Sequence, residues 1–464
     1  MRIRLSVLLA LVAFASVCSA VDIIPYPQSV SMTEVAFDKA NLENVKYKKD
    51  KKLAPEAYEL HVKEKGIVIK YATEAGRFYA EQSLKQLADD VVMYCGVIKD
   101  EPHLPWRGLM LDESRHFFGK QEVFRILDLM ARYKLNRFHW HLSDDQGWRV
   151  EIKAYPDLTT VGGIGCNTDR NAPAKFYTQD EIREIVAYAA ERHIEVIPEI
   201  DMPGHASAFV KVFSQFDGKN RTVNPADEKL YEVLSTIYGE LATLFPGRYL
   251  HIGGDEVNKH GWGELAGMKE LMAKENLKSM DEVEDYFGRR LSDIITAKGK
   301  NVVAWDDLID SGTSPEGKVV MWWRSDQPQL LAEGVEAGFD MIVCPDGPFY
   351  LDYVQDIRDK VGHLVHRQWV NEMKEIYEYD LMENSKVIGV QSNIWTEKVV
   401  TTERLEYMIF PRLIALAEKG WTKAENLNYD NFVKRLAREY SFLDTYSLYY
   451  YDCREGMRRV EPQR

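Results

Sequence analysis

Eight short apolar runs, set apart by segments of helical periodicity, recur between residues 107 and 395 and restrict this chain more than any other feature. The runs are Arg107 to Asp112, Arg137 to Leu142, Glu195 to Ile200, Tyr249 to Gly253, Val302 to Trp305, Val319 to Trp323, Met341 to Cys344 and Val387 to Trp395. Amphipathic segments accompany most of them, at Gln121 to Tyr133, Gln179 to Arg192, Glu228 to Leu244, Val283 to Lys298 and Arg404 to Glu418. Strand and helix units repeated eight times over about 320 residues imply an α/β fold, a (β/α)8 TIM barrel, with the longer gaps as loop insertions. The barrel is placed at residues 103–445, with a C-terminal tail at 446–464.

Ahead of Pro102 the pattern differs. Residues 21–102 mix short β-like runs, such as Gly66 to Tyr71, with one amphipathic segment from Glu74 to Leu87, and read as a small N-terminal α+β domain. The Lys-rich patch from Lys46 to Lys52 reads as a solvated loop or hairpin. Residues 1–20 carry Arg2 and Arg4, an apolar run from Leu5 to Val17 and then Cys18-Ser19-Ala20, which is the pattern of a secretory signal peptide cleaved after Ala20. The protein is therefore expected to be exported: periplasmic, cell-surface or secreted. A lipid anchor on Cys18 is disfavoured by the bulk of Val17.

Loss of that segment takes the formal net charge from −14 to −16, which argues against a nucleic-acid partner. No later apolar stretch is long enough to span a bilayer, so an integral membrane protein is not expected. Cys95, Cys166, Cys344 and Cys453 lie far apart without a CxxC, which argues against a disulfide scaffold and a zinc finger. The lone Asn-x-Ser/Thr sequon is Asn220-Arg221-Thr222.

A TIM barrel carries its chemistry at the C-terminal ends of its strands. Carboxylates, His, Arg and Trp gather there in this chain. Run four ends in Gly253-Gly254-Asp255-Glu256. Neighbours on a strand point opposite ways, so both acids reach one pocket only if the backbone turns, and two glycines allow that. Close carboxylates keep one acid protonated, as a general acid must be. The competing reading is a surface Asp-Glu pair.

Trp305, Trp323 and Trp395, with Tyr350, stand at further strand ends, where aromatic faces can stack on sugar rings; core packing is the alternative for each. Of Trp322 and Trp323 only one can face inward, and Trp323, which ends the run, is chosen. Arg115 offers a guanidinium fork to vicinal hydroxyls, and Asp352 and Glu397 offer acceptors; loop ion pairs are the plain alternative. His139, His141, Asp144, Asp201 and His205 admit a metal site. The other reading is that His205 bonds a carboxylate and tunes the acid. His251 is read as opening its strand, outside that group.

These residues resemble glycoside hydrolase family 20, the β-N-acetylhexosaminidases. The resemblance runs through Gly108 to His116, His139 to Arg149, Pro198 to His205 and His251 to Glu256, and continues at Trp305, Trp323, Tyr350-Leu351-Asp352 and Trp395-Thr396-Glu397. The segment from Ile23 to Tyr79 looks like a shortened form of the family's small N-terminal domain. The resemblance implies exo-acting hydrolysis of terminal N-acetyl-β-hexosamines with retention, assisted by the substrate's own acetamido group through an oxazolinium intermediate, with no cofactor. It implies Glu256 as general acid and Asp255 as the anchor of the acetamido nitrogen, with Tyr350 on the carbonyl oxygen. Trp305, Trp323 and Trp395 would enclose the methyl group, Arg115, Asp352 and Glu397 would hold hydroxyls, and Asp144 and His205 would support the acid. The implied partner is an oligosaccharide or glycoconjugate ending in GlcNAc or GalNAc. Two other classes stay open: a metal-dependent amidohydrolase or deacetylase on the same barrel, and a non-catalytic glycan-binding protein.

Overall fold

The computed structural model describes residues 21–362 and 370–462. The signal peptide read at residues 1–20 lies outside them. Among the described residues no helix is long and apolar enough to cross a membrane.

The chain divides into two compact units, with residues 27–101 in the first and residues 24–26 and 102 onward in the second. The first is a five-stranded sheet of β1 (Ser29–Ala36), β2 (Val45–Lys49), β3 (Tyr58–Lys63), β4 (Gly66–Tyr71) and β5 (Tyr94–Asp100), in the order β1-β5-β3-β4-β2. A helix, Glu74–Asp89, packs on β3 and β4. The alternation that marks β4 buries Ile67 and Ile69 and leaves Val68 and Lys70 outward. The Lys-rich segment differs from its reading as a loop or hairpin: Val45–Lys49 is an edge strand, paired in parallel with β4 alone. At an edge the lysines keep their charge in water and deter further strand pairing, so a polar composition and a strand coexist there.

The second unit is a closed barrel of eight parallel strands: β6 (Trp106–Asp112), β7 (Arg137–His141), β8 (Glu195–Glu199), β9 (Tyr249–His251), β10 (Asn301–Trp305), β11 (Lys318–Trp322), β12 (Asp340–Val343) and β13 (Val387–Ile394). Pairing of β13 with β6, from Gly389↔Trp106 to Ile394↔Leu111, closes it. Each strand matches one of the eight apolar runs, because parallel strands covered on both faces must be apolar almost throughout. Trp106, Ile197, Tyr249, Val303, Val319, Met321 and Ile342 fill the interior.

Helices Lys120–Arg132, Gln179–Ala190, Glu228–Leu244 and Met280–Ala297 follow β6 to β9 with their apolar faces inward. Gln179–Ala190 starts at a capping box in which Thr178 and Glu181 satisfy each other's backbone N–H. The amphipathic segment Arg404 to Glu418 is not continuous. It is two helices, Thr402–Ile409 and Arg412–Trp421, with Phe410 extended between them. Pro411 excludes the helical conformation from the residue before it, which breaks the run.

The helix Arg412–Trp421 is fastened by a buried ion pair. Glu418 accepts from both terminal nitrogens of Arg435 (2.6 and 2.7 Å), from the Tyr377 hydroxyl (2.8 Å) and from the Tyr26 amide (3.0 Å). The Glu418 side chain is fully buried. Arg435→Met should therefore cost about 3–5 kcal/mol, since it strands a carboxylate without its cation. Thermal and urea unfolding of the variant check this; a loss below about 1 kcal/mol would mean that Tyr377 and the amide suffice.

Candidate active site

The site rests on a sharp turn after β9. Gly253 and Gly254 take φ of 71° and 99°, and Glu256 itself is left-handed at 52°. A Cβ on Gly253 would sit 1.8 Å from Asp201 Oδ1, so the close approach requires glycine. The turn separates two adjacent acids. Asp255 is driven inward, 8% exposed, while the Glu256 side chain stands at the mouth, 58% exposed.

Asp255 meets Asp201, which follows β8. Asp201 Oδ1 accepts the Gly254 N–H (3.1 Å), and neither Asp201 Oδ2 nor Asp255 Oδ1 finds a donor elsewhere. Two buried carboxylates side by side cannot both ionise. Burial, and then the Asp255 charge, push Asp201 well above the usual carboxylate range, and burial raises Asp255 as well, so Asp201 is the member of the pair that favours its neutral form more strongly.

Glu256 faces His205, 3.6 Å from Oε2 to Nε2. The other nitrogen, Nδ1, donates to Asp144 Oδ1 at 3.1 Å. Asp144 Oδ2 takes Arg115 Nη2 at 2.7 Å and His141 Nε2 at 3.0 Å, and His141 Nδ1 reaches Glu199 Oε2 at 2.6 Å. Both nitrogens of His141 face carboxylates, so the ring is an imidazolium. Burial opposes that charge, and Glu199 and Asp144 outweigh it, raising His141 well above its ordinary value. His205 behaves likewise, with Asp144 the main opposing charge. Asp144 sits well below the carboxylate range, as Arg115 and His205 overcome its burial. Glu256 is lowered by the His205 imidazole facing it at 3.6 Å, against its partial burial.

Glu199 is the inner end of this network. It also accepts from Trp305 Nε1 (2.9 Å) and lies 2.9 Å from His139 Nε2 and 3.2 Å from His251 Nδ1. Burial lowers His139 to about 4, so this ring is neutral. His251 closes β9 instead of opening it, because the glycine turn begins two residues later and cuts the strand short. Distances alone would let several of these groups hold a metal, among them His139 with Glu199 and His251, and Asp201 with His205 and Asp255. Within these two groups His251 Nε2, Asp201 Oδ2, His205 Nε2 and Asp255 Oδ1 keep no hydrogen-bond partner, so their ligand atoms are not all spent on each other.

Above the network lies a pocket of about 200 Å³, lined by Arg115, His205, Asp255, Glu256, Trp323, Tyr350, Asp352, Trp395 and Glu397. The sequence reading named all nine. Trp323 and Tyr350 are stacked at 6.4 Å between centroids, and Trp395 closes the wall, 6.2 Å from Tyr350. Trp305 and Asp144 are not at the surface of the pocket. Trp305 packs 6.0 Å from Trp395 as a buried neighbour of Glu199, and Asp144 lies behind Arg115. Asp346 and Tyr353 also line it and escaped the sequence reading. Tyr353 directly follows Asp352, so its place at the same strand end was the available signal.

Several buried polar atoms facing this space have no hydrogen-bond partner: Arg115 Nε, Asp352 Oδ1, Glu397 Oε2, Asp255 Oδ1 and Trp323 Nε1. Buried polar groups are normally paired. A cluster of unpaired ones against aromatic walls suits a ligand of one sugar ring's size, rich in hydroxyls and carrying an N–H.

The model of the glycosyl hydrolase family 20 catalytic domain matches residues 104–424, and that of the family's domain 2 matches residues 33–101. A β-hexosaminidase of Porphyromonas gingivalis is 34% identical over 86% of this chain; the chain spans 55% of that protein's length. One from Akkermansia muciniphila is 30% identical over 91% of this chain and 90% of its own. The crystal structure of a Vibrio harveyi exo-β-N-acetylglucosaminidase with N-acetylglucosamine superposes with a TM-score of 0.85 at 29% identity, covering 93% of this chain and 78% of that one.

The charge order makes a measurable statement about His205. In protein carrying ¹³C-labelled histidine, its NMR titration should lie well above 6.5, and Asp144→Asn should lower it, since the largest charge opposing burial is then removed. A variant whose His205 titrates unchanged would locate the source of the shift in Glu256 and Asp255.

Proposed function

This chain belongs to glycoside hydrolase family 20, and from that premise we propose that it is an exo-acting β-N-acetylhexosaminidase that works by substrate assistance with retention. The observation that carries this reading is the splitting of Asp255 and Glu256 into one buried and one exposed carboxylate by the glycine turn. Only Glu256 stands where a glycosidic oxygen can reach it. Asp255 lies too deep to attack an anomeric carbon at the mouth and is placed to bind a substituent directed inward.

In the proposed reaction a terminal 2-acetamido sugar enters with its acetamido group toward Trp323 and Trp395. Asp255 accepts the acetamido N–H, and the Tyr350 hydroxyl donates to the carbonyl oxygen. That oxygen attacks the anomeric carbon as the bond to the leaving group breaks, and an oxazolinium forms. The positive charge on its nitrogen develops next to the Asp255 anion, so the interaction grows stronger along the reaction coordinate. The leaving oxygen takes a proton from Glu256. In the free protein that proton belongs to the Glu256–His205 pair, and covering Glu256 with substrate shifts it onto the carboxyl by desolvation. Glu256 then removes a proton from the incoming water, which attacks from the side the leaving group vacated, and configuration is retained. Arg115, Asp352 and Glu397, with their unpaired atoms, would hold the ring hydroxyls. Each step is carried by side chains of this chain, with the carbonyl supplied by the substrate.

The test is hydrolysis of aryl N-acetyl-β-glucosaminide and N-acetyl-β-galactosaminide beside the aryl β-glucoside, with and without a chelator. Turnover of the acetamido substrates alone, indifferent to chelator, is expected; chelator sensitivity would instead favour the amidohydrolase. Asp255→Asn should lower kcat on acetamido substrates by about 10²–10³ with an unchanged melting temperature. Full activity in that variant would overturn substrate assistance. For Glu256→Gln the loss should be about 10²–10⁴ with poor leaving groups and much smaller with activated aryl groups. Equal losses on both would place the acid elsewhere.

A further inference from the structure

The rim of the pocket beside Glu256 contains a strained turn that none of these steps uses. Lys219, Asn220 and Arg221 are three consecutive left-handed residues, with φ of 67°, 47° and 66°. Side chains disfavour that conformation, so such a run persists only where its surroundings hold it. Here they do. The Asn220 amide donates to the His260 carbonyl (2.6 Å), and Thr222 Oγ1 donates to the Lys219 carbonyl (2.7 Å) while accepting from Trp262 Nε1 (2.8 Å). The Ala206 N–H donates to the Arg221 carbonyl (2.9 Å), which ties the turn to the residue after His205.

The turn presents the Arg221 guanidinium at the mouth. Nη1 donates to Asp145 Oδ2 at 2.7 Å, and the side chain remains 56% exposed. Asp145 Oδ2 is 3.8 Å from His205 Nδ1, whose ring continues to Glu256. Among the described residues Arg221 Nε and Nη2 meet no protein acceptor. The neighbouring cations are already matched, Lys219 by Glu264 and Lys259 by Asp281 and Glu284. Asp145 does not depend on Arg221 for its own needs, since its other oxygen takes the Ser207 amide and hydroxyl (3.2 and 2.6 Å). Arg221 is also close enough to help depress the Glu256 carboxyl.

We propose that Arg221 is the anion-recognising element of the subsite for the leaving group, so that the preferred substrates carry a carboxylate or a sulfate close to the bond that is cut. The sugar that is released fills the pocket behind Glu256, so the group it is attached to leaves past Glu256, and Arg221 stands close enough to that carboxyl to bear on its charge. A guanidinium with free N–H groups at that point selects a planar or tetrahedral oxyanion. The proposal rests on the glycosidase reading above and adds the chemistry of the leaving side.

The experiment compares KM for three aryl N-acetyl-β-glucosaminides matched in leaving-group acidity: one neutral, one bearing a ring carboxylate and one bearing a ring sulfate. The wild-type protein should show KM about tenfold lower for at least one anionic substrate than for the neutral one, a preference that weakens with salt. Carboxylate preference points to acidic sugars as leaving groups and sulfate preference to sulfated glycans; either supports the proposal. In Arg221→Gln the ratio of neutral to anionic KM should collapse to about one, with part of it restored in Arg221→Lys. A wild-type ratio near one overturns the proposal, as does an Arg221→Gln variant that weakens neutral and anionic substrates by the same factor, the signature of a structural ion pair. Absence of turnover with all three substrates overturns the glycosidase reading, and this proposal with it.

Discussion

A buried charge must meet an opposite one, and the carboxyl end of this barrel is organised around that requirement. Glu199, His141, Asp144, then Arg115 and His205, alternate in sign from the interior to the pocket, each within hydrogen-bonding or ion-pairing distance of the next. Against Glu199, burial holds the His139 ring neutral, and Gln391 engages its Nδ1. This order fixes side chains from β6, β7 and β8 against one another. It also delivers a cation, His205, to Glu256, the more exposed of the two adjacent acids.

The pocket inherits its geometry from that base. Arg115 is oriented by Asp112, Asp144 and Glu397 and lies 5.0 Å over the Trp395 ring, so the guanidinium fork and the aromatic wall are positioned together. Trp305, bonded to Glu199, supports Trp395 from below. On the opposite side Asp201 holds Asp255. The two sides meet at His205, 3.9 Å from Asp255 and 3.6 Å from Glu256, so the charge of a single imidazolium bears on both carboxylates.

Much of this could be read in the chain before any coordinates. All eight strands fall on the apolar runs, and nine pocket residues were picked out by standing just beyond those runs or within the motifs resembling a glycosidase family. Other features left no trace that periodicity could register. The break between Ile409 and Arg412 came from one proline inside a good amphipathic pattern. The edge strand Val45–Lys49 was masked by its lysines, which reflect its position in the sheet and not its backbone. His251 was misplaced on its strand because the strand ends where two glycines turn, and hydrophobicity continues past that point through Ile252.

By itself the sequence determined the eightfold succession of strands and helices and the identity of the groups at the strand ends, because burial on both faces of a parallel sheet leaves a continuous apolar signature and the barrel assigns its C-terminal ends to chemistry. Only the tertiary structure decided which of two adjacent acids turns inward, which carboxyl keeps a proton, and which charges neutralise one another. Those outcomes depend on contacts between residues far apart in the chain, such as Asp201 with Asp255, His141 with Glu199 and Asp145 with Arg221. Protonation follows the local balance of burial against neighbouring charge, and that balance exists only once the strands have closed.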